Sequence, residues 1–173
     1  MTNYSEKFNL TGESALKSVF RNHASGIAVV TSRTKDGQPI GFTASSITSL
    51  GSNPPLVSLN IAQGSSSYPH LQIGTKVALH TLDQGTLDLA KRLAGPKDNR
   101  FDGSEVEGPY GLPIFEKAPA ILIGEVLKRF EVESNAVVII STEMALVNRI
   151  PEQPLVYFQR AWHAVGEKLS DKD

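Results

Sequence analysis

Apolar, β-branched runs follow one another along this chain at short spacing, with turn residues between them and few intervals long enough for a crossover helix. From residue 27 the chain reads IAVVTS, then the turn-rich TKDGQP, then IGFT. Asp36-Gly37 between two apolar runs signals a hairpin, because a tight reversal needs positive φ angles that glycine adopts without strain. PPLVSLNIA (54–62) reads as another strand, with proline at its start where no ladder donor is needed. KVALHTL (76–82), AILIGEVLKRFEV (120–132), AVVIISTEMALV (136–147), PLVYF and AWHAV complete the set. An alternating strand–helix–strand order is missing, which counts against a Rossmann sheet. Many short-spaced strands with two or three attached helices predict a mainly β, mainly antiparallel barrel.

Two segments carry helical rather than strand periodicity. Leu16, Val19 and Phe20 fall at i, i+3 and i+4, with Thr11 as candidate cap and Gly26 as the expected stop. TLDLAKRLAG (86–95) is amphipathic and closes on Gly95-Pro96. SSSYPHLQIG reads as a short helical turn ended by Gly74, and 97–113 as a polar, glycine-rich loop.

The 173 residues suit one domain with a core at about 12–166, the last seven or so residues reading as a frayed tail. Seventeen basic residues against 18 acidic ones leave a net charge of −1, without the broad basic field that nucleic acid or an anionic membrane surface attracts. Cysteine is absent, which removes disulfides, thiolate nucleophiles and thiolate metal ligands together. The N-terminus lacks signal-peptide order and no apolar run is long enough to span a bilayer, so a soluble, cytoplasmic protein is expected.

Residues 41–49 read GFTASSITS, five hydroxyl residues in nine directly after a strand. Small residues let a backbone approach an anion closely, and hydroxyls and backbone N–H groups then donate to its oxygens. A plain Ser/Thr-rich turn has the same composition. Ser65-Ser66-Ser67 follows another strand, where a serine cluster also serves as a helix cap. Arg100-Phe101 combines a side chain shaped to grip phosphate with one that covers an aromatic ring, although a solvated loop arginine beside an anchoring phenylalanine fits equally. The four histidines match no metal-binding spacing, and no nucleophile elbow, Walker or GxGxxG sequence occurs. No metal site and no catalytic side chain is therefore assigned.

Taken in order, SGIAVVTS, GQPIGFTASSITSL and NPPLVSLNIA closely resemble the flavin reductase-like family of FMN-binding split barrels. The resemblance continues through KVALHTLD, Arg100-Phe101, YGLPIF and PLVYFQRAWHAV, from about residue 20 to 165. It implies a six-stranded antiparallel Greek-key split β-barrel that works as a homodimer, with flavin near the subunit interface. By the same resemblance Thr43, Ala44, Ser45, Ser46 and Ser49 would contact the flavin, and Leu59, Asn60 and Ile61 would run along its ring edge. Ser65, Ser66, Ser67 and Arg100 would hold the phosphate with Phe101 beside them, and His163 would approach the ring. The implied activity is transfer of hydride from NADH or NADPH to FMN or FAD, the reduced flavin passing to a separate flavin-dependent monooxygenase.

One position departs from the family. A Gly-Asp-His turn usually precedes the last long strand, and its histidine lies near the nicotinamide; here the turn reads Glu133-Ser134-Asn135. Asparagine donates a hydrogen bond but holds no proton as imidazolium does. That change leaves open a flavin-binding or storage protein without fast turnover. His80 stands where the family often has asparagine, and a partly buried strand histidine accounts for it.

Overall fold

The computed structural model describes residues 8–167, so the expected frayed tail, apart from Glu167, lies outside the described residues. The apolar runs form β2 (Ala28–Arg33), β3 (Pro39–Ala44), β5 (Pro55–Ala62), β6 (Lys76–Thr81), β9 (Ala120–Val132) and β10 (Asn135–Val147), with β2 and β6 buried on both faces over four consecutive residues. With β4 (Thr48–Ser52) they make a seven-stranded sheet ordered β3-β2-β6-β9-β10-β5-β4, antiparallel at every step. The Asp36-Gly37 turn joins β2 to β3 as expected, with Gly37 at φ +80° and its N–H donating to Thr34 O. A small sheet, β1 (Ser25–Gly26), β11 (Leu155–Phe158) and β12 (Ala161–Ala164), and a two-stranded pair, β7 (Val106–Glu107) with β8 (Pro113–Ile114), complete the strands.

Alternation along each strand sends side chains to two faces, and each face has its own core. Val30, Phe42, Leu59, Ile61, Val77, Leu79, Val126, Val138 and Ile140 share one interior cluster. That cluster takes residues from β3, at one edge of the sheet, and from β5, next to the other edge. On the opposite face Val29 packs with Leu89, Ala90 and Leu93 of helix α2 (Leu87–Ala94), together with Leu82, Phe115 and Leu155.

Three local expectations are corrected. Helix α1 (Gly12–Phe20) starts after Thr11, but the Thr11 hydroxyl makes no capping bond; Ser14 Oγ donates back to Thr11 O instead. The helix ends well before Gly26, which sits in β1 paired with β11. The 41–49 segment is not one loop: β3 runs through Ala44, and β4 begins at Thr48 against β5. Helix α1 buries none of its residues, and its apolar face, Leu16, Val19 and Phe20, is 60–66% exposed.

Candidate functional site

A cleft of about 380 Å³ opens between the ends of β3 and β5 and the C-terminal end of α2. Thr43, Ala44, Ser45, Ser46, Asn60, Ile61, Ser65 and Arg100 line it, together with Ala62, Leu93 and Ala94. Much of the hydroxyl chemistry here builds the cleft. Thr43 Oγ1 donates to Ala90 O at 2.7 Å, tying β3 to α2. Ser46 Oγ donates to Asn60 O and accepts from Asn60 N–H at 3.0 Å, closing the turn after β3 onto β5. Pairing of β4 with β5 stops at Ser58, so the edge of β5 from Asn60 to Ala62 is left without a neighbouring strand on that side. The outward backbone groups there are met by serines instead: Ser46 Oγ takes both those of Asn60, and Ser65 N–H donates to Ala62 O at 2.9 Å.

Arg100 stands at the far end of this cleft. Its Nε donates to Gly95 O at 3.0 Å, and Nη1 donates to Gly41 O at 2.7 Å and to Ser66 Oγ at 3.2 Å. All these partners are neutral. Among the described residues no carboxylate pairs with Arg100, and its Nη2 has no partner. Burial lowers its pKa from the usual arginine value. A half-buried cation held in place by neutral acceptors, with hydrogen-bonding capacity to spare, favours an incoming anion.

A second cleft, of about 370 Å³, meets the first at Arg100, the one residue common to both linings. Ser66, Ser67, Phe101, Lys97, His70 and Gln38 are among its walls. Ser67 is 1% exposed, and its Oγ has no hydrogen-bond partner among the described residues. The Phe101 ring lies against Phe115 at 6.1 Å with 19° between planes. Gly41 is needed where these pieces converge, because a Cβ there would stand 2.9 Å from Val30 O and 3.1 Å from Phe101 Cζ. Another cleft, along α2 and Phe115, contains Arg92, but that guanidinium already pairs with Asp102.

Four residues singled out from sequence lie away from both clefts. Leu59 is fully buried in the interior cluster and presents no side chain to the cleft. Ser49 is exposed on β4, paired opposite Val57. His163 is exposed on β12, edge-on to Phe158 at 5.8 Å. Asn135 opens β10 opposite Ala62, one strand over from the cleft lining, with its Nδ2 donating to Ser134 Oγ at 3.4 Å. The positive φ of that turn belongs to Glu133 rather than to Asn135. Gln63 pins the turn, its N–H donating to Ser134 O and its Nε2 to Glu133 O.

His80 has a structural job. Its Nε2 accepts the Phe115 N–H at 3.2 Å, so Nδ1 carries the proton and donates to Val29 O at 3.2 Å. Burial pushes its pKa down to about 4, which keeps the ring neutral. Sequence reasoning missed Ala62, Leu93 and Ala94 on the first cleft and Gln38 and His70 on the second; alanine and leucine carry no chemical signal, and Gln38 and His70 reach the cleft from segments distant from Arg100. Among the described residues no group of His, Asp and Glu is arranged to hold a metal ion, and no helix is long and apolar enough to cross a membrane.

The model of the family described as flavin reductase like domain matches residues 20–166. A flavin reductase domain protein from Arthrobacter sp. FB24, known by crystal structure, superimposes with a TM-score of 0.87 at 35% identity, over 93% of this chain and 100% of that one. An NADH:FMN oxidoreductase from Rhodococcus erythropolis is 41% identical over 85 residues, 49% of this chain and 44% of that protein. The reductase component of a flavin-dependent trigonelline monooxygenase from Acinetobacter baylyi is 35% identical over 86 residues, 50% of this chain and 28% of that protein. The chain thus spans less than half the length of these two curated relatives.

Proposed function

The chain belongs to the flavin reductase-like domain family, and from that membership we propose that it binds FMN, or FAD in its place, and reduces it with NADH or NADPH. One observation carries this furthest: Arg100, a half-buried cation with only neutral partners, closes the end of a cleft walled by backbone edges and small residues. A flavin ring would lie along Thr43–Ser46 and the end of β5 at Asn60 and Ile61, with its phosphate at Arg100, Ser65 and Ser66. Ser67 and Phe101 lie on the far side of Arg100, and Asn135 stands one strand over, opposite Ala62. Ser49, Leu59 and His163 stay outside this arrangement unless a second subunit brings its own copies to the cleft.

The bound flavin supplies the hydride-accepting chemistry at its N5. The residues of the chain bind and orient it. Arg100 neutralises the phosphate, the end of β5 borders the ring, and Leu93 and Ala94 keep water from one side. Among the described residues Arg100 is the only ionisable side chain lining the cleft, which agrees with a reaction that needs no general acid or base from the protein.

We further propose one flavin-binding domain in which β2, β3, β5, β6, β9 and β10 form a six-stranded split barrel around the interior cluster. A homodimer covers the apolar surface left open, Leu16, Val19 and Phe20 on α1 with Phe130 and Val132 on β9 and Val147 on β10, each more than half exposed. A flavin-dependent monooxygenase as consumer of the reduced flavin is supported by the relative named as a monooxygenase reductase component. A second reading, a flavin holder with little turnover, draws on Asn135 standing in place of the family histidine.

The test is binding and turnover on the purified chain. FMN is expected to bind with a Kd of micromolar or below, and Arg100→Ala to weaken FMN by about 10-fold or more while leaving riboflavin nearly unchanged, the loss of one charge-assisted contact. Equal losses for both ligands would assign Arg100 to loop order alone. NADH consumption with added FMN separates the reductase from the holder.

A further inference from the structure

We propose that Arg129 is a positioning residue for the phosphate end of the flavin site, holding the segment that carries Ser65 and Ser66 from the sheet side while Arg100 meets it from the cleft; the inference rests on the flavin reading above. This segment leaves β5 after Ala62 and rejoins the sheet where Gly74 N–H donates to Val126 O at 2.8 Å. Between those points its own bonds are short-range: Ser65 N–H to Ala62 O, Tyr68 N–H to Ser65 O and His70 N–H to Ser67 O. Such turns fix local shape, and Leu71 sinks into the interior cluster. Arg129, on β9 opposite Val138, ties the turns to the sheet. Its Nη1 donates to Tyr68 O and to Leu71 O, both at 2.9 Å, and its Nε donates to Glu131 Oε1 at 2.8 Å. The guanidinium lies over the Tyr68 ring, 4.0 Å from the centroid, and the Tyr68 hydroxyl donates to Glu131 in turn. The Arg129 side chain is only 6% exposed. Burying a guanidinium is costly, and an apolar side chain would cover the same surface without that cost. An apolar side chain could not hold two main-chain carbonyls three residues apart in one geometry. Those carbonyls belong to the segment that offers Ser66 Oγ to Arg100 Nη1 at 3.2 Å. Arg129 itself lines neither cleft, so it acts on the phosphate through the serines it places.

The test separates placement of the phosphate from general support of the fold. The flavin-stripped chain is titrated with FMN and with riboflavin, as wild type, Arg129→Ala and Arg129→Lys, and amide hydrogen exchange is followed on the free proteins. Arg129→Ala is expected to weaken FMN by about 5- to 20-fold and riboflavin, which has no phosphate, by less than about 2-fold. Arg129→Lys keeps a donor on the two carbonyls and loses the stacked fork, so FMN should weaken by only about 2- to 5-fold. Exchange in free Arg129→Ala should quicken at residues 65–71 and stay unchanged in β5, β9 and β10. Equal losses on the two flavins overturn the proposal, as does unchanged FMN affinity in a folded Arg129→Ala. Exchange that quickens evenly across the sheet also overturns it and makes Arg129 a support of the whole fold. Should Arg129→Ala not fold, the difference between FMN and riboflavin in Arg129→Lys decides, and its absence overturns the proposal. A wild type that binds neither flavin overturns the flavin reading itself and this inference with it.

Discussion

Acidification should weaken this fold through one buried histidine before its carboxylates respond. His80 is fully buried between β2 and the Phe115 segment, with Nε2 accepting from Phe115 N–H and Nδ1–H donating to Val29 O. Protonating Nε2 destroys the first bond and places a charge among Val29, Phe115 and their neighbours, which is why burial lowers the pKa from 6.5 to about 4. The unfolded chain titrates near 6.5, so between pH 6.5 and 4 the unfolded state binds more protons than the native one, and stability falls as pH falls. The linked loss is close to zero at pH 7, roughly 2 kcal/mol at pH 5 and about 3 kcal/mol below pH 4. Asp83, whose pKa is lowered mainly by its hydrogen bond from Arg149, acts in the same direction only further down, below the ordinary carboxylate range. Urea unfolding at pH 7 and pH 5 measures the difference, with His80→Gln as the comparison because its carboxamide oxygen can still accept the Phe115 N–H. The variant should be less stable at pH 7 by about 1–3 kcal/mol, the cost of disturbing buried hydrogen bonds. It should also lose about 2 kcal/mol less than wild type on going to pH 5. Parallel losses in the two proteins would refute the assignment of a neutral, bond-accepting His80.

Gly41→Ala should destabilise the fold by about 1–3 kcal/mol and weaken FMN as well, since the new Cβ crowds Val30 O on the neighbouring strand together with Leu93 and Phe101; thermal melting and a flavin titration read the two effects. Asn135→His should raise kcat/KM for NADH by roughly five- to thirty-fold without tightening FMN, if imidazole beside the β5 edge helps hold the nicotinamide; an unchanged rate would make Asn135 a hairpin residue and no more. Light scattering should give a mass near twice the 18.7 kDa of one chain, and a monomer at working concentration would leave the exposed faces of α1 and β9 unexplained.

Local chemistry made much of this fold legible. The Asp36-Gly37 hairpin, the amphipathic α2 ending at Gly95 and the long β9 and β10 runs each carry their own periodicity or turn signal, which needs no distant partner. β4 was not legible. Thr48–Ser52 contains one large apolar residue, Leu50, and all five residues are exposed; it is a strand only because β5 offers it an edge. The serine and threonine cluster marked the right region, yet composition could not tell which hydroxyls would be free. Thr43 and Ser46 bond the protein's own backbone, while Ser67 is left over, a distinction set by what packs opposite each oxygen.

By itself the sequence determined the order of strands and helices, the absence of thiolate chemistry and the presence of one arginine suited to an anion, since these follow from residue type and spacing. Tertiary structure alone decided that Gly41, Ser66 and Gly95, 54 positions apart at their extremes, converge on the Arg100 guanidinium. It also decided that His80 is locked neutral by groups 35 and 51 positions away, and that Leu59 turns inward while Asn60 faces the cleft. Burial and hydrogen-bond partnership are properties of a site, so a side chain acquires its charge state and its availability only when segments remote in sequence close around it.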